Sequence, residues 1–336
     1  MILEKLMKRG SAFLGVQYPI ICGAMTWISD SSLVKTMSDH DIFPVLAGGN
    51  SPPDIFEKEI DTCLTLVHKP FGVNLITIAP NFKAQYEILL TKKVPVVIFA
   101  GSFPRKIEIQ KMQQSDKKVM SFASEESLAL QQISFGIDGL ILEGSEAGGH
   151  IGHVSLLILL QQVLFKFSQV PIFVGGGIAH GNMIAHLLLM GAAGCQLGTR
   201  FVMTKECNVH DKFKEAFVKA KARQAVATPQ YDSKLPVVAV RALKNKGSVD
   251  FGKLQLKLLR QMEDGLISRQ KAQYEVEKYW MGALKKAVVE GDVNYGSLMA
   301  GQSVGLVHEI KPVKGLIEEL LGDAEKELSL VKERLR

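Results

Sequence analysis

The segment Glu143-Gly144-Ser145-Glu146-Ala147-Gly148-Gly149-His150 brings two carboxylates and one imidazole together among three glycines. An imidazole, with an ordinary pKa near 6.5, can move a proton or stabilise a developing oxyanion at neutral pH. Gly148 and Gly149 remove two Cβ atoms just before His150, which permits positive φ and lets backbone approach a flat ligand closely. Glu143 is suited to accept hydrogen bonds from a ligand hydroxyl or a backbone N–H, whereas Glu146 reads equally as a turn-stabilising carboxylate and as a functional one. Taken alone, the segment reads as well as a tight turn with a surface histidine.

The elements around it decide between these readings. The apolar run Gly139 to Leu142 delivers straight into the segment, as a buried parallel strand ending in a functional loop would. Seven similar runs recur along the chain: Pro19 to Cys22, Phe43 to Ala47, Phe71 to Leu75, Val94 to Phe99, Lys118 to Phe122, Pro171 to Val174, and Gly194 to Leu197. Between them lie stretches long enough for one helix and two short loops. Ser29 to Ser32, for example, can cap a helix through Leu33, Val34 and Met37, Ser124-Glu125-Glu126 opens another, and Asn182 to Met190 is apolar enough to pack on a sheet. Eight βα units predict a (β/α)8 TIM barrel; a doubly wound open sheet shares the alternation and is the second choice.

In a barrel, residues just after each strand line the catalytic face. Here they are Gly23-Ala24-Met25-Thr26, Gly48-Gly49-Asn50, Asn74 with Thr77, Ala100-Gly101-Ser102, Ala123-Ser124, the Glu143 to His150 loop, Gly175-Gly176-Gly177, and Gly198-Thr199-Arg200. Glycine at most of these ends suggests a flat ligand lying against backbone. Barrels often hold a phosphate on the loops after their last two strands, and Gly175 to Gly177 with Gly198-Thr199 has that form. A monophosphate with a planar head, such as FMN, fits better than a dinucleotide, since no GxGxxG opens a βα unit.

The chain has 336 residues, 47% of them hydrophobic, a formal net charge of +6 and a pI near 9.0. Lys and Arg are spread along it, which excludes a nucleic-acid groove and suits an acidic carrier protein or a phosphorylated cofactor. Cys22, Cys63, Cys195 and Cys207 show no CxxC spacing, and His40, His68, His186, His210 and His308 show no metal-ligand spacing. Reduced thiols in a cytoplasmic protein, with no metal site, are expected. No signal peptide is visible, and Val154 to Leu164 is too short and too interrupted to span a bilayer, so no membrane association is expected.

After Arg200 the rhythm changes. From 206 to 291 the chain is rich in Lys, Gln, Ala and Leu, with Pro236-Val237-Val238 the best strand-like run. This predicts a mostly helical substrate or lid domain, 206–291, inserted into a barrel formed by 1–205 plus 292–336. Tyr279 and Trp280 read as helix anchors in the domain interface, His153 as a solvent residue and His180 as a helix start. The segment from Lys314 to Arg336 reads as an amphipathic surface helix that closes the barrel or supports a dimer.

Three segments together carry a resemblance. Glu143 to Gly152 (EGSEAGGHIG), Gly175 to Ala179 (GGGIA) and Gly198 to Val202 (GTRFV) resemble the flavin motifs of the nitronate monooxygenase and 2-nitropropane dioxygenase superfamily. Ala24 to Asp30, Lys69 to Asn74, Val240 to Asn245 and Lys286 to Val307 further resemble the FabK-type enoyl-acyl-carrier-protein reductases. The resemblance implies FMN held by Gly23, Ala24, Met25, Asn74, Glu143, Gly148, Gly149, Gly175, Gly176, Gly177, Gly198 and Thr199, with His150 as the active-site residue. It implies NADH or NADPH as co-substrate, reduction of an enoyl thioester on an acyl carrier protein in fatty acid biosynthesis, and a homodimer. The alternative within the superfamily is oxidation of a nitronate with FMN and oxygen. From another class, a flavin-free barrel binding a phosphorylated metabolite remains open. The first mouth, Cys22 to Met25, and the fourth, Phe99 to Pro104, depart from the reductase pattern.

Overall fold

The computed structural model describes residues 2–49, 51–237 and 239–335, leaving aside the side chains of Glu277, Trp280 and Met281. Asn50 at the second mouth, Val238 and the Trp280 side chain therefore lie outside the described residues.

Every one of the eight apolar runs is a strand. They are β1 (Ile20–Cys22), β2 (Phe43–Ala47), β3 (Gly72–Ile76), β4 (Val96–Ala100), β5 (Lys118–Ala123) and β6 (Gly139–Glu143), then β8 (Ile172–Gly175) and β9 (Gly194–Leu197); β7 (Gly149–His150) stands outside their sheet. The eight pair in parallel in sequence order, and β9 returns to β1 through Ile20↔Cys195, Ile21↔Gln196 and Cys22↔Leu197. That closure makes a (β/α)8 barrel and excludes the open doubly wound sheet.

Side chains alternate between the two faces of each strand, and the core divides accordingly. Ile21, Phe43, Val45, Ile98, Met120 and Phe173 pack inside the barrel, while Leu46, Val73, Val97, Leu140 and Val174 face the helices. Full burial of one such side chain contributes about 1.5–3 kcal/mol. The N-terminal segment, unassigned from its sequence, is a helix (Ile2–Leu14) burying Leu3, Met7 and Leu14. Phe13 at its end reaches the ring of Phe173, with centroids 6.0 Å apart.

Helix boundaries follow local chemistry. In the Ser29 to Ser32 stretch the cap is Asp30, whose carboxylate accepts from Leu33 N at 2.9 Å to open the helix Ser31–Asp39. The C-terminal helix, Val313–Arg334, buries Val313, Leu316, Ile317, Leu320, Ala324 and Leu328 and packs on the helix Gly181–Leu189. No helix among the described residues is long and apolar enough to cross a membrane.

The segment from 206 to 291 contains two long helices, Lys246–Glu263 and Arg269–Val288, over a small core of Leu235, Val240, Phe251, Leu258 and Val276. Its strands are β10 (Ala225–Ala227) and β11 (Val240–Leu243), on either side of the expected run at Pro236. A proline has no N–H to give a ladder, whereas Val240 to Leu243 can pair on both edges. They form an antiparallel sheet in the order β10-β11-β7, so the sheet of this segment continues onto Gly149 and His150.

Candidate active site

The carboxyl ends of all eight barrel strands open into one cavity of about 410 Å³, within the range of cofactor sites, about 300–1,000 Å³. Gly23, Ala24, Met25, Asn74, Glu143, Gly148, Gly149, His150, Gly176, Gly177, Gly198 and Thr199 all line it. Gly175 does not: it is buried at the end of β8, opposite Gln196 and Glu143 in the ladder.

At one end, Gly176 (φ 95°) and Gly177 (φ 73°) adopt left-handed conformations that turn backbone toward the cavity. Beside them Gly198 caps the short helix Thr199–Val202, whose first internal donors are Phe201 and Val202, at 2.9 and 3.1 Å from Gly198 O. The N–H groups of Thr199 and Arg200 precede those bonds and are not used within the helix. A Cβ at Gly198 would meet only Met25 Sδ, at 3.7 Å, and would occupy cavity space. Arg200, 5% exposed, turns away to Glu319 of the C-terminal helix, Nη2 to Oε1 at 2.5 Å, and Lys311 Nζ reaches the other oxygen at 2.5 Å.

The floor is held by buried polar contacts. Ser29 Oγ accepts from Met25 N at 3.0 Å and reaches Gly23 O at 3.3 Å, pinning the first mouth. Asn74 Nδ2 donates to Ile98 O at 3.1 Å, and Asn74 O accepts from Gly48 N at 3.1 Å. Gln196 was not singled out in the sequence, yet it lies on the wall so near Gly23 that a Cβ there would come within 3.0 Å of its amide carbon. Its signal was a lone polar residue inside the strand Gly194–Leu197. Burial pushes the Glu143 carboxyl up to about 8, so it is largely protonated at neutral pH and can donate a hydrogen bond.

At the other end stands His150. Burial lowers its pKa, which leaves the neutral imidazole at pH 7 with one donor and one acceptor nitrogen. Its loop leans on distant backbone. A Cβ at Gly148 would sit 2.5 Å from Gly301 N and 2.6 Å from the Ala300 carbonyl carbon, so only glycine fits there. Gly149 (φ 76°) and His150 pair with Arg241 and Val240 of β11, and Ile151 N donates to Ala239 O at 2.9 Å. Glu146 takes the turn-holding role: its carboxylate accepts from Leu156 N at 3.0 Å, and its carbonyl accepts from Gln302 N at 2.9 Å.

Beyond His150 the wall turns apolar, with Ile76, Phe103, Leu128, Ile151, Leu284 and Met299. His153 is exposed, and His180 occupies the N-cap of the helix Gly181–Leu189. Tyr279 anchors its helix by donating to Gly247 O at 2.6 Å. Among the described residues no three His, Cys, Asp or Glu side chains gather as around a metal. A glycine-walled cradle and a protonated carboxyl fit a flavin mononucleotide, and His150 lines the same cavity.

Comparison with known proteins agrees. The family model described as nitronate monooxygenase matches residues 8–83 and 76–323. The chain is 28% identical to a 5-hydroxy-7a-methyl-1-oxo-octahydro-1H-indene-4-carboxyl-CoA dehydrogenase of Rhodococcus jostii, over 94% of this chain and 95% of that one. It is 25% identical to a probable nitronate monooxygenase of Staphylococcus aureus, over 68% and 76%. Among solved structures, FabK from Thermotoga maritima matches with a TM-score of 0.86 and 32% identity, covering 97% of this chain and 98% of that one. Nitroalkane oxidase from Streptomyces ansochromogenes shares the fold, with a TM-score of 0.80 and 23% identity over 96% and 99%.

Proposed function

Because the chain belongs to the nitronate monooxygenase family and is a flavin-dependent oxidoreductase, we propose that it uses NADH or NADPH to reduce the carbon–carbon double bond of an enoyl thioester. FMN would be held by Gly176, Gly177, Gly198 and Thr199 at its phosphate, and by Met25, Asn74 and Glu143 along its sugar and ring. When bound, it supplies the hydride chemistry that no side chain can.

The residues then have separable tasks. A hydride added at the β-carbon of the enoyl group pushes negative charge onto the thioester oxygen, and the α-carbon then takes a proton. The neutral imidazole of His150 donates an N–H to that oxygen, and the α-carbon takes its proton from solvent water. Glu143, protonated, offers a hydrogen bond without placing a negative charge beside the reacting electrons.

The observation that carries this reading is the apolar lining contributed by Ile76, Phe103, Leu128, Ile151, Leu284 and Met299, which suits an acyl chain. Two likenesses support it: FabK at 32% identity, and a relative across nearly the whole chain whose named substrate is a CoA thioester. The +6 charge suits an acidic acyl carrier protein as the thioester's bearer, and the chain acts in the cytoplasm as a homodimer in this reading. A second reading, oxidation of alkyl nitronates with oxygen, is favoured by the Staphylococcus relatives and needs the same His150.

Anaerobic titration separates them. Bleaching of the flavin by NADH or NADPH and return of colour with a crotonyl thioester is the expected result. A flavin that ignores both nucleotides and is reduced by a nitronate moves the protein to the second reading.

A further inference from the structure

We propose that Arg241 is the positioning residue of His150, so that the insertion sets the reactive end of the cavity; this rests on His150 being the reacting side chain, as proposed above. The loop from Gly144 to Gly149 contains three glycines, and its shape is held by contacts to other segments, Glu146 to Leu156 N and to Gln302 N among them. Arg241 meets it twice. Its backbone lies opposite Gly149 in the β7–β11 pair, and its Nε donates to Ser145 O at 2.9 Å. Its Nη1 donates to Ala225 O of β10 at 2.6 Å, and its carbonyl faces Ala300 N at 3.4 Å.

One guanidinium thus bridges two carbonyls from chain segments far apart in sequence, and its fork geometry fixes their separation. A lysine ammonium can serve either carbonyl, but not both in that geometry. Ser145 and Gly149, the two points held, bracket Ala147 and Gly148, which form the cavity wall. Arg241 is not itself part of that wall, so it acts on the reaction through His150 and not by touching substrate. Small displacements of a reacting group are costly: about 1 Å can lower a rate roughly 10²-fold.

The test is a double-mutant cycle on FMN-loaded protein, using Arg241→Ala and Arg241→Lys, each alone and combined with His150→Ala. Turnover is expected to fall about 10- to 100-fold in Arg241→Ala, less in Arg241→Lys, and no further when either is added to His150→Ala. Equal losses with and without His150 would overturn the proposal, because a merely structural role costs the same in both backgrounds. If Arg241→Ala does not fold, the lysine variant completes the cycle. Amide hydrogen exchange at Gly149 to Ile151 supplies a readout independent of the reaction. It should quicken in both Arg241 variants, and unchanged exchange overturns the proposal. Unchanged turnover in His150→Ala would instead sink the functional reading, while the exchange data still report on the loop.

Discussion

The two ends of the cavity are secured by different parts of the chain. At the phosphate end, Gly176, Gly177, Gly198 and Thr199 follow directly from β8 and β9, which are locked in the barrel ladder, and one ion pair from Arg200 to Glu319 braces them from behind. At the reactive end, His150 lies in a two-residue strand whose partner, among the described residues, is β11 of the insertion. In the proposed reading, binding of the cofactor is a property of the barrel, and reactivity a property of the grip of β11 on one loop. A change at either end should leave the other's task intact.

His150→Ala gives the largest expected effect: turnover lower by about 10²- to 10⁴-fold with FMN affinity unchanged, read by steady-state rates and flavin titration. Loss of flavin with unchanged turnover per bound FMN would break the division of labour. Gly198→Val is the mirror experiment, since its side chain enters the cradle. Overpacking of about 1–3 kcal/mol should weaken FMN binding roughly 5- to 150-fold, while turnover per bound FMN stays near that of the parent.

Glu319→Ala leaves the nearly buried Arg200 without its carboxylate. An unfolding experiment should show a loss of about 1–3 kcal/mol, with flavin released a few-fold faster. A lower melting temperature with unaltered flavin release would show that the pair braces the fold and not the cradle. The smallest effect is a pH slope. Burial raises Glu143 from 4.5 to about 8, so between those pH values the native flavin-free protein holds a proton that the unfolded chain has lost. Stability must then fall as pH rises through that window and level off above it. The lowered pKa of His150 acts in the opposite sense below about pH 6.5 and offsets the Glu143 slope there. Melting temperatures of the flavin-free protein across pH 5 to 9 should therefore fall most steeply between about pH 6.5 and 8, and Glu143→Gln should remove that fall and leave the His150 rise below about 6.5.

Much of the barrel was legible because parallel strands buried on both faces read as unbroken apolar runs: β2 and β9 begin and end at Phe43, Ala47, Gly194 and Leu197, as their sequence predicts. The cradle was legible for a similar reason, since glycines clustered after strand ends have few other uses. What escaped depends on pairing between distant segments. β7 is two residues long and β10 three, too short for any period, and neither would be a strand without β11 between them. Gln196 escaped because one polar residue does not interrupt an apolar run, and Arg241 because its partner Ser145 lies 96 residues away in the chain.

That long-range pairing also orders events in time. The barrel ladder joins strands that follow one another along the chain until β9 closes on β1, and all of them are made before residue 240, which β7 must await before it has a partner. Contacts between distant segments form slowly, because the intervening loop must first be closed. During synthesis, therefore, the loop that carries His150 gains its β11 partner only after every barrel strand has been made.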